Sequence, residues 1–316
     1  MEHFPVRLQG SEKGFALLAR KPPESAVVFV HGFGIHGFGG SPASTWAGFE
    51  HLIDEVEELR AEWGRCDLFF YSYRSHDQIA PLGEDFVRFV SAVASKNERL
   101  TLQIEFALPS SSEKIYGSPL SLSLGRGTMP YKNLFLVGHS TGAVVIREAV
   151  RLKLREITTR GYDLTAWFAQ ALQPGDPEYS DWLIARAFLR FFAPAHLGVM
   201  AAGLLGAVSS LPRIEKVVNA FLRCNPLYQN LRPGSPTLVD LRKETETQYE
   251  KHKIHALKAL LLFGEKEDVV FIGGYCHDER LPTEKGQSHA SICKPTRQYV
   301  KPLEFVTHAS VLAKRA

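Results

Sequence analysis

The sequence predicts an α/β fold, a mostly parallel sheet with helices on both faces, and three observations predict it. Short apolar runs alternate with segments of helical spacing through most of the 316 residues, the order that strand–helix–strand crossovers produce. One run, Ala26–Val30 (AVVFV), is continuously apolar and β-branched, as a strand buried on both faces must be. Another, Leu134–Val137, stops at Gly138-His139-Ser140-Thr141-Gly142 and passes directly into an apolar pattern of helical period.

In chain order, Phe4–Leu8 and Gly14–Ala19 read as a short hairpin at the sheet edge, ahead of the central strand Ala26–Val30. A Gly-rich loop follows that strand, and Trp46–Trp63 then interleaves acidic and apolar residues at helical spacing. Cys66–Tyr73 is the next strand and Pro81–Ala94 an amphipathic helix. Residues 109–130, rich in Ser, Gly and Pro, show no period; a loop of that length in a compact domain is usually functional or mobile. Beyond the strand–turn–helix at 133–150, Asp163–Leu183 is helical with a break at Pro174-Gly175, and Ala187–Phe192 is a buried strand. Residues 203–249 interrupt the alternation with helical segments and are the candidate cap. Ala256–Phe263 resumes it as a strand, Val269–Ile272 is extended and Val300–Lys314 closes the chain as a helix. No linker divides the sequence, so 1–316 reads as one domain.

Bulk properties narrow the function. A hydrophobic content of 45%, a charged content of 22% and a net charge of +3 describe an ordinary globular protein, with no basic run of the kind nucleic acid requires. Cys66, Cys224, Cys276 and Cys293 form no C-x-x-C pair, so neither a zinc site nor a disulfide framework is expected, and no cofactor is implied. The N-terminal residues lack a basic-then-apolar signal, which makes the cytoplasm the default location. Phe191–Leu211 reaches the length of a membrane span but carries Pro194, His196 and three glycines; a buried strand and a small-residue helix account for it better, with peripheral membrane contact still open.

The chemistry centres on Ser140. Glycines on both sides of it let strand and helix pass closely and place the hydroxyl on a sharp turn at a helix N-terminus. A serine is a poor nucleophile until a base takes its proton. His289, in the small-residue loop Gly286–Ser291 before the last helix, is the favoured base; His277 competes with it, and His308 falls on the closing helix. The segment Gly264-Glu265-Lys266-Glu267-Asp268 offers three carboxylates to orient that imidazole. Asp268 borders Val269-Val270 and is expected to face inward, with Glu265 and Glu267 turned to solvent. Two N–H donors for an oxyanion are expected from Thr141 and from Phe33, in the turn after the AVVFV strand. His31, His139 and His196 are expected to line the site, His196 through hydrogen bonding rather than as a proton acceptor.

These segments resemble the α/β-hydrolase superfamily, and within it the serine esterase and lipase branch. Val28–Gly34 (VFVHGFG), Gly138–Gly142 (GHSTG) and Gly264–Val270 (GEKEDVV) resemble the family's oxyanion, nucleophile and acid positions. Ser44-Thr45-Trp46 after Gly39-Gly40, together with Phe69–Tyr73, is similar to proteins related to GPI inositol deacylases and to "serine active site containing" hydrolases. So are Asn230–Ser235 (NLRPGS) and Pro194–Gly198, the latter with one residue inserted between Pro and His. The loop carries H-G-F-G twice, at 31–34 and 36–39, and the copy next to the strand is taken to frame the oxyanion site. The resemblance spans Val27 to Pro295 and implies hydrolysis of a small acyl ester or lipid-like substrate through an acyl-enzyme. A thioesterase or acyltransferase on the same residues, or a catalytically idle interaction module, are the alternatives.

Overall fold

The computed structural model describes residues 3–7, 15–19, 21–33, 45–73, 77–95, 131–173, 175–200, 222 and 224–313. Its strands are β1 (His3–Arg7), β2 (Phe15–Ala19), β3 (Ser25–Val30), β4 (Cys66–Tyr71), β5 (Asn133–His139), β6 (Phe188–Phe192), β7 (Ala259–Leu262), β8 (Gly264–Lys266), β9 (Glu279–Arg280) and β10 (Glu284–Ser288). Eight of them form one sheet in the order β1-β2-β4-β3-β5-β6-β7-β9, and β8 pairs with β10 separately. The expected opening hairpin is the antiparallel β1–β2 edge, with Phe4 opposite Leu18. From β4 through β9 every pairing is parallel.

Register decides where a site can form. Val30 lies opposite Gly138, and Gly138 opposite Phe191, so β3, β5 and β6 end level with one another. The turns that leave those strands therefore emerge side by side at one rim, the carboxyl edge where ligands bind in such sheets. The interior strands earn that position through continuous burial: every residue of Ser25–Val30 and Cys66–Tyr71 is buried, and Phe29 packs its ring within 5.0 Å of Trp46, Phe49 and Phe70 centroids.

Helices cover both faces. On one lie α1 (Phe49–Glu55), α2 (Glu57–Trp63) and α9 (Lys301–Ala313); on the other, α3 (Ile79–Ser95) packs on α4 (Thr141–Thr159). The short helices α5 (Leu164–Phe168) and α6 (Tyr179–Ala185) stand on either side of the predicted break at 174–175. The stretch Trp46–Trp63 is two helices rather than one, because Val56 takes an extended backbone (φ −80°, ψ 102°) and ends one helix while starting the next.

The candidate cap divides differently from expectation. Residues 203–221 and 223 lie outside the described residues, as does the loop 109–130. The remainder forms α7 (Pro226–Asn230) and α8 (Pro236–His252), each opened by a side-chain cap, Asn225 or Ser235, and by a proline at the start. Helix α8 lies against α4, where Arg151 bridges Glu148 and Glu244 at 2.6 and 2.8 Å. This part is thus the crossover that leads from β6 to β7 and continues the alternation. Among the described residues no helix is long and apolar enough to cross a membrane. All four cysteines are free thiols.

Candidate active site

Ser140 stands between β5 and α4 with φ 53° and ψ −119°, a strained backbone for a residue with a side chain. Its surroundings over-determine it. The Ser140 N–H donates to the Phe192 carbonyl at 3.0 Å, and its own carbonyl accepts from Ala143 and Ala195, both at 3.2 Å. The flanking glycines are required by close approach. A Cβ on Gly142 would stand 2.2 Å from the Val30 carbonyl oxygen, and one on Gly138 would stand 2.7 Å from the backbone of Ala143. Thr141 opens α4, so its N–H has no acceptor inside the helix and is available to a ligand.

The turn after β3 lies against this elbow. A Cβ on Gly32 would come within 3.0 Å of Ser140 Cβ and 2.9 Å of His139 Nδ1, so only glycine allows the two turns to touch. His31 holds the turn from beneath. Its Nδ1–H donates to the Gly32 carbonyl at 2.7 Å, its Nε2 accepts the Tyr73 N–H at 3.3 Å, and its ring stacks on Tyr73 at 4.3 Å. The Tyr73 hydroxyl donates to the His31 carbonyl at 2.9 Å. That pattern needs a neutral imidazole, and burial lowers the His31 pKa to about 4. Phe33 follows, half-buried, and the second H-G-F-G copy at 36–39 falls outside the described residues.

The carboxylate that meets His289 is Glu267, not Asp268. His289 Nδ1 lies 2.9 and 3.0 Å from the two Glu267 oxygens, and the Glu267 side chain is fully buried. The reason is local. Glu267 folds back so that Oε1 accepts the N–H groups of Val269 (3.0 Å) and Val270 (2.9 Å). Both valines are buried, and Val270 bridges to Val199 in the turn after β6, which turns the intervening Asp268 out to solvent. Glu265 is exposed and accepts the Gly286 N–H at 2.9 Å. With Nδ1–H donating to the carboxylate, a neutral imidazole at 289 carries its lone pair on Nε2.

His289 is brought to the elbow by its own backbone. Its carbonyl accepts a hydrogen bond from His139 Nε2 at 2.8 Å, and the two rings lie 4.7 Å apart. Among the described residues no hydrogen bond joins Ser140 Oγ to His289; in sites of this kind that bond tightens with substrate in place. His277 sits elsewhere, its Nε2 on the Leu257 carbonyl and its ring on Tyr249.

His196 differs from expectation. Its turn docks under Ser140 through Ala195, but the ring points inward, stacked on Tyr275 at 4.7 Å and edge-on to Phe191 at 5.3 Å. Neither ring nitrogen has a hydrogen-bond partner among the described residues, and burial, with Arg147 beside it, lowers its pKa to about 3. Sequence reading passed over Arg147 and Asp278, a fully buried ion pair at 2.5 Å that ties α4 to the strand β7, where Asp278 also accepts the Ala259 N–H.

Three buried histidines therefore stay neutral in the fold: His31, His196 and His139, whose pKa burial pushes well below its ordinary value. The unfolded chain takes up protons near pH 6.5 that the native state refuses until about pH 4 or lower, so stability is full above 6.5 and is lost as pH falls toward 4. Each histidine contributes up to about 1.4 kcal/mol per pH unit over that window. Urea unfolding between pH 7 and pH 5 is expected to show a steep decline, and His196→Phe, which keeps the stack but cannot titrate, to make it shallower. Equal slopes in the two proteins would refute the assignment.

A family model covers most of the chain. The profile of the "Alpha/beta hydrolase family" matches residues 27–289, and no curated protein matches the chain in sequence. Similar solved structures include the Bacillus licheniformis lipase BlEst2 in its propeptide form, at 16% identity and TM-score 0.44, covering 96% of this chain and 53% of that one. The phospholipase PlaB from Legionella pneumophila aligns at 17% identity and TM-score 0.42, over 77% of this chain and 38% of that one. The Pyrococcus furiosus esterase Pf2001 aligns at 12% identity and TM-score 0.43, over 99% and 91%. The chain thus spans about half of the first of these proteins and less of the second. A parallel sheet with a Gly-x-Ser-x-Gly elbow at its carboxyl edge, matched from Val27 to His289, places the chain in the alpha/beta hydrolase family.

Proposed function

We propose that the chain is a metal-independent serine hydrolase of carboxylic esters, with Ser140 as nucleophile, His289 as base and Glu267 as the acid that orients it. One observation carries this reading: His289, joined at 2.9 Å to the fully buried Glu267 carboxylate, is docked against the residue that precedes a serine held in strained backbone. Ser140 Oγ attacks the ester carbonyl as its proton passes to His289 Nε2, while Glu267 stabilises the imidazolium without taking the proton. The N–H groups of Thr141 and Phe33 receive the negative charge of the tetrahedral intermediate. His289 then protonates the leaving alkoxide, and a water deprotonated by the same nitrogen releases the acid from Ser140.

Two exposed apolar side chains near Glu267 in sequence support an acyl or lipid-like substrate. Phe271 and Ile272, 41% and 42% exposed, stand just past Glu267 and offer apolar contact to an acyl chain or to a lipid surface approached from the side.

A fluorophosphonate probe followed by peptide mass analysis tests the proposal. A single adduct on the peptide containing Ser140, with turnover of p-nitrophenyl esters graded by acyl length, is expected. A folded protein that takes up no probe, or takes it up on another serine, overturns it.

A further inference from the structure

The side chain between Gly138 and Ser140 has a task of its own. His139 is the last residue of β5, and its ring is buried between Trp46, 6.5 Å away and edge-on, and His289. Its Nε2 lies 2.8 Å from the His289 carbonyl oxygen, across 150 residues of sequence. A carbonyl only accepts, so Nε2 carries the proton, and in a neutral ring Nδ1 is then a bare lone pair. Nδ1 lies beside Gly32 in the oxyanion turn and has no hydrogen-bond partner among the described residues. Burial disfavours a charge on this ring, and of the groups that face it, His289, Lys294 and His31, the Lys294 ammonium adds to that.

We infer that His139 is a positioning residue, which clamps the backbone of the base loop to the nucleophile turn and so holds His289 Nε2 towards Ser140. The inference rests on the proposed roles of Ser140 and His289. Among the described residues, the His289 side chain is otherwise hydrogen-bonded through Nδ1 to Glu267, a contact about which the ring can swing. The strand β10 before it is tied to β8, with Ser288 opposite Lys266 and the Gly286 N–H on Glu265, but past Ser288 the loop turns on the Ser288 N–H to Ser291 Oγ at 2.9 Å and the Ile292 N–H to the Ser288 carbonyl at 3.0 Å, and Ala290 is exposed. The His139 bond supplies a second anchor, on the backbone of the same residue. Two anchors, one on the ring and one on the main chain, determine an orientation where one determines only a distance. The same ring touches Gly32, so a single side chain keeps the turns bearing base, nucleophile and oxyanion donors in register.

The test compares His139→Phe, which keeps a ring but loses the donor, with His139→Gln, which keeps a side-chain N–H. His139→Phe is expected to lower kcat for a soluble p-nitrophenyl ester by about 10- to 100-fold, with KM nearly unchanged, as a small misplacement of a catalytic group does. His139→Gln is expected to recover most of the loss. The low-field proton resonance of His289 Nδ1–H, present in the wild type and absent in Glu267→Gln, should broaden in His139→Phe and persist in His139→Gln. Unchanged kcat and an unchanged resonance in His139→Phe overturn the clamp. Where His139→Phe does not fold, nitrogen chemical shifts of the wild type decide instead: an Nε2–H tautomer at His139 supports the clamp, and an Nδ1–H tautomer or a cation overturns it. A wild type that takes no fluorophosphonate and cleaves no ester removes the proposed function, yet the resonance and the tautomer still decide whether the clamp exists.

Discussion

Ser140→Ala is expected to lower turnover of a p-nitrophenyl ester by about six orders of magnitude, or about 8 kcal/mol of activation free energy, with thermal unfolding close to the wild type. The loss is large because no neighbouring group substitutes for the hydroxyl: His289 and Glu267 activate a nucleophile but do not supply one. The fold should tolerate the change because the ties of Ser140 run through its backbone. The N–H to Phe192 and the carbonyl contacts to Ala143 and Ala195 remain in an alanine, which meets the same strain at φ 53°. What activity survives should come from the oxyanion donors and binding alone, which in such sites still leave about 10³- to 10⁴-fold over water. Steady-state kinetics beside a melting curve read both quantities. A folded Ser140→Ala that kept most of its turnover would assign the chemistry to another group.

Much of this was legible in the sequence, and the parts that were share a physical cause. Strands buried on both faces leave continuous apolar runs, so Ala26–Val30 and Leu134–Val137 announced the centre of the sheet. The glycines around Ser140 were legible for a stricter reason: a Cβ at Gly138 or Gly142 collides with backbone, which cannot move aside. His289 was singled out from its place in chain order, in a loop before the closing helix, and the fold sets its carbonyl on His139, next to Ser140. The carboxylate that meets His289 was not the one expected, because which side chain reaches it depends on a turn that local polarity does not encode. A carboxylate beside two apolar residues looked like the one drawn inward. In the structure Val269 and Val270 are inside and offer their N–H groups to the residue two and three positions earlier, which only Glu267 satisfies for both. The break of Trp46–Trp63 at Val56 escaped for a related reason, since no Gly or Pro marks it. Helix α8 read as part of a cap because 203–249 has no strand signal of its own; its contact with α4 through Arg151 and Glu244 is a tertiary fact.

The adjacent carboxylates make the sharpest comparison. Glu267→Gln is expected to lower kcat by about three to four orders of magnitude, and Asp268→Asn to leave it within about two-fold. A glutamine at 267 can still present its carbonyl oxygen to the N–H groups of Val269 and Val270, so the turn should form. What it loses is the second acceptor and the charge. With the amide nitrogen facing it, His289 is pushed to carry its proton on Nε2, the nitrogen that must accept from Ser140, and no carboxylate remains to stabilise the imidazolium. The acid-to-amide change at 268 is nearly isosteric in the same way, but it takes place on an exposed side chain where water screens the lost charge. Two like substitutions one residue apart thus separate the site from general effects on charge or folding, with kcat and KM of both variants as the measurement. A collapse in Asp268→Asn with Glu267→Gln unharmed would mean that the turn rearranges when substrate binds and that Asp268 takes over Nδ1. Equal and slight effects would mean that His289 works without a carboxylate, and that its hydrogen bond to Glu267 serves the loop alone.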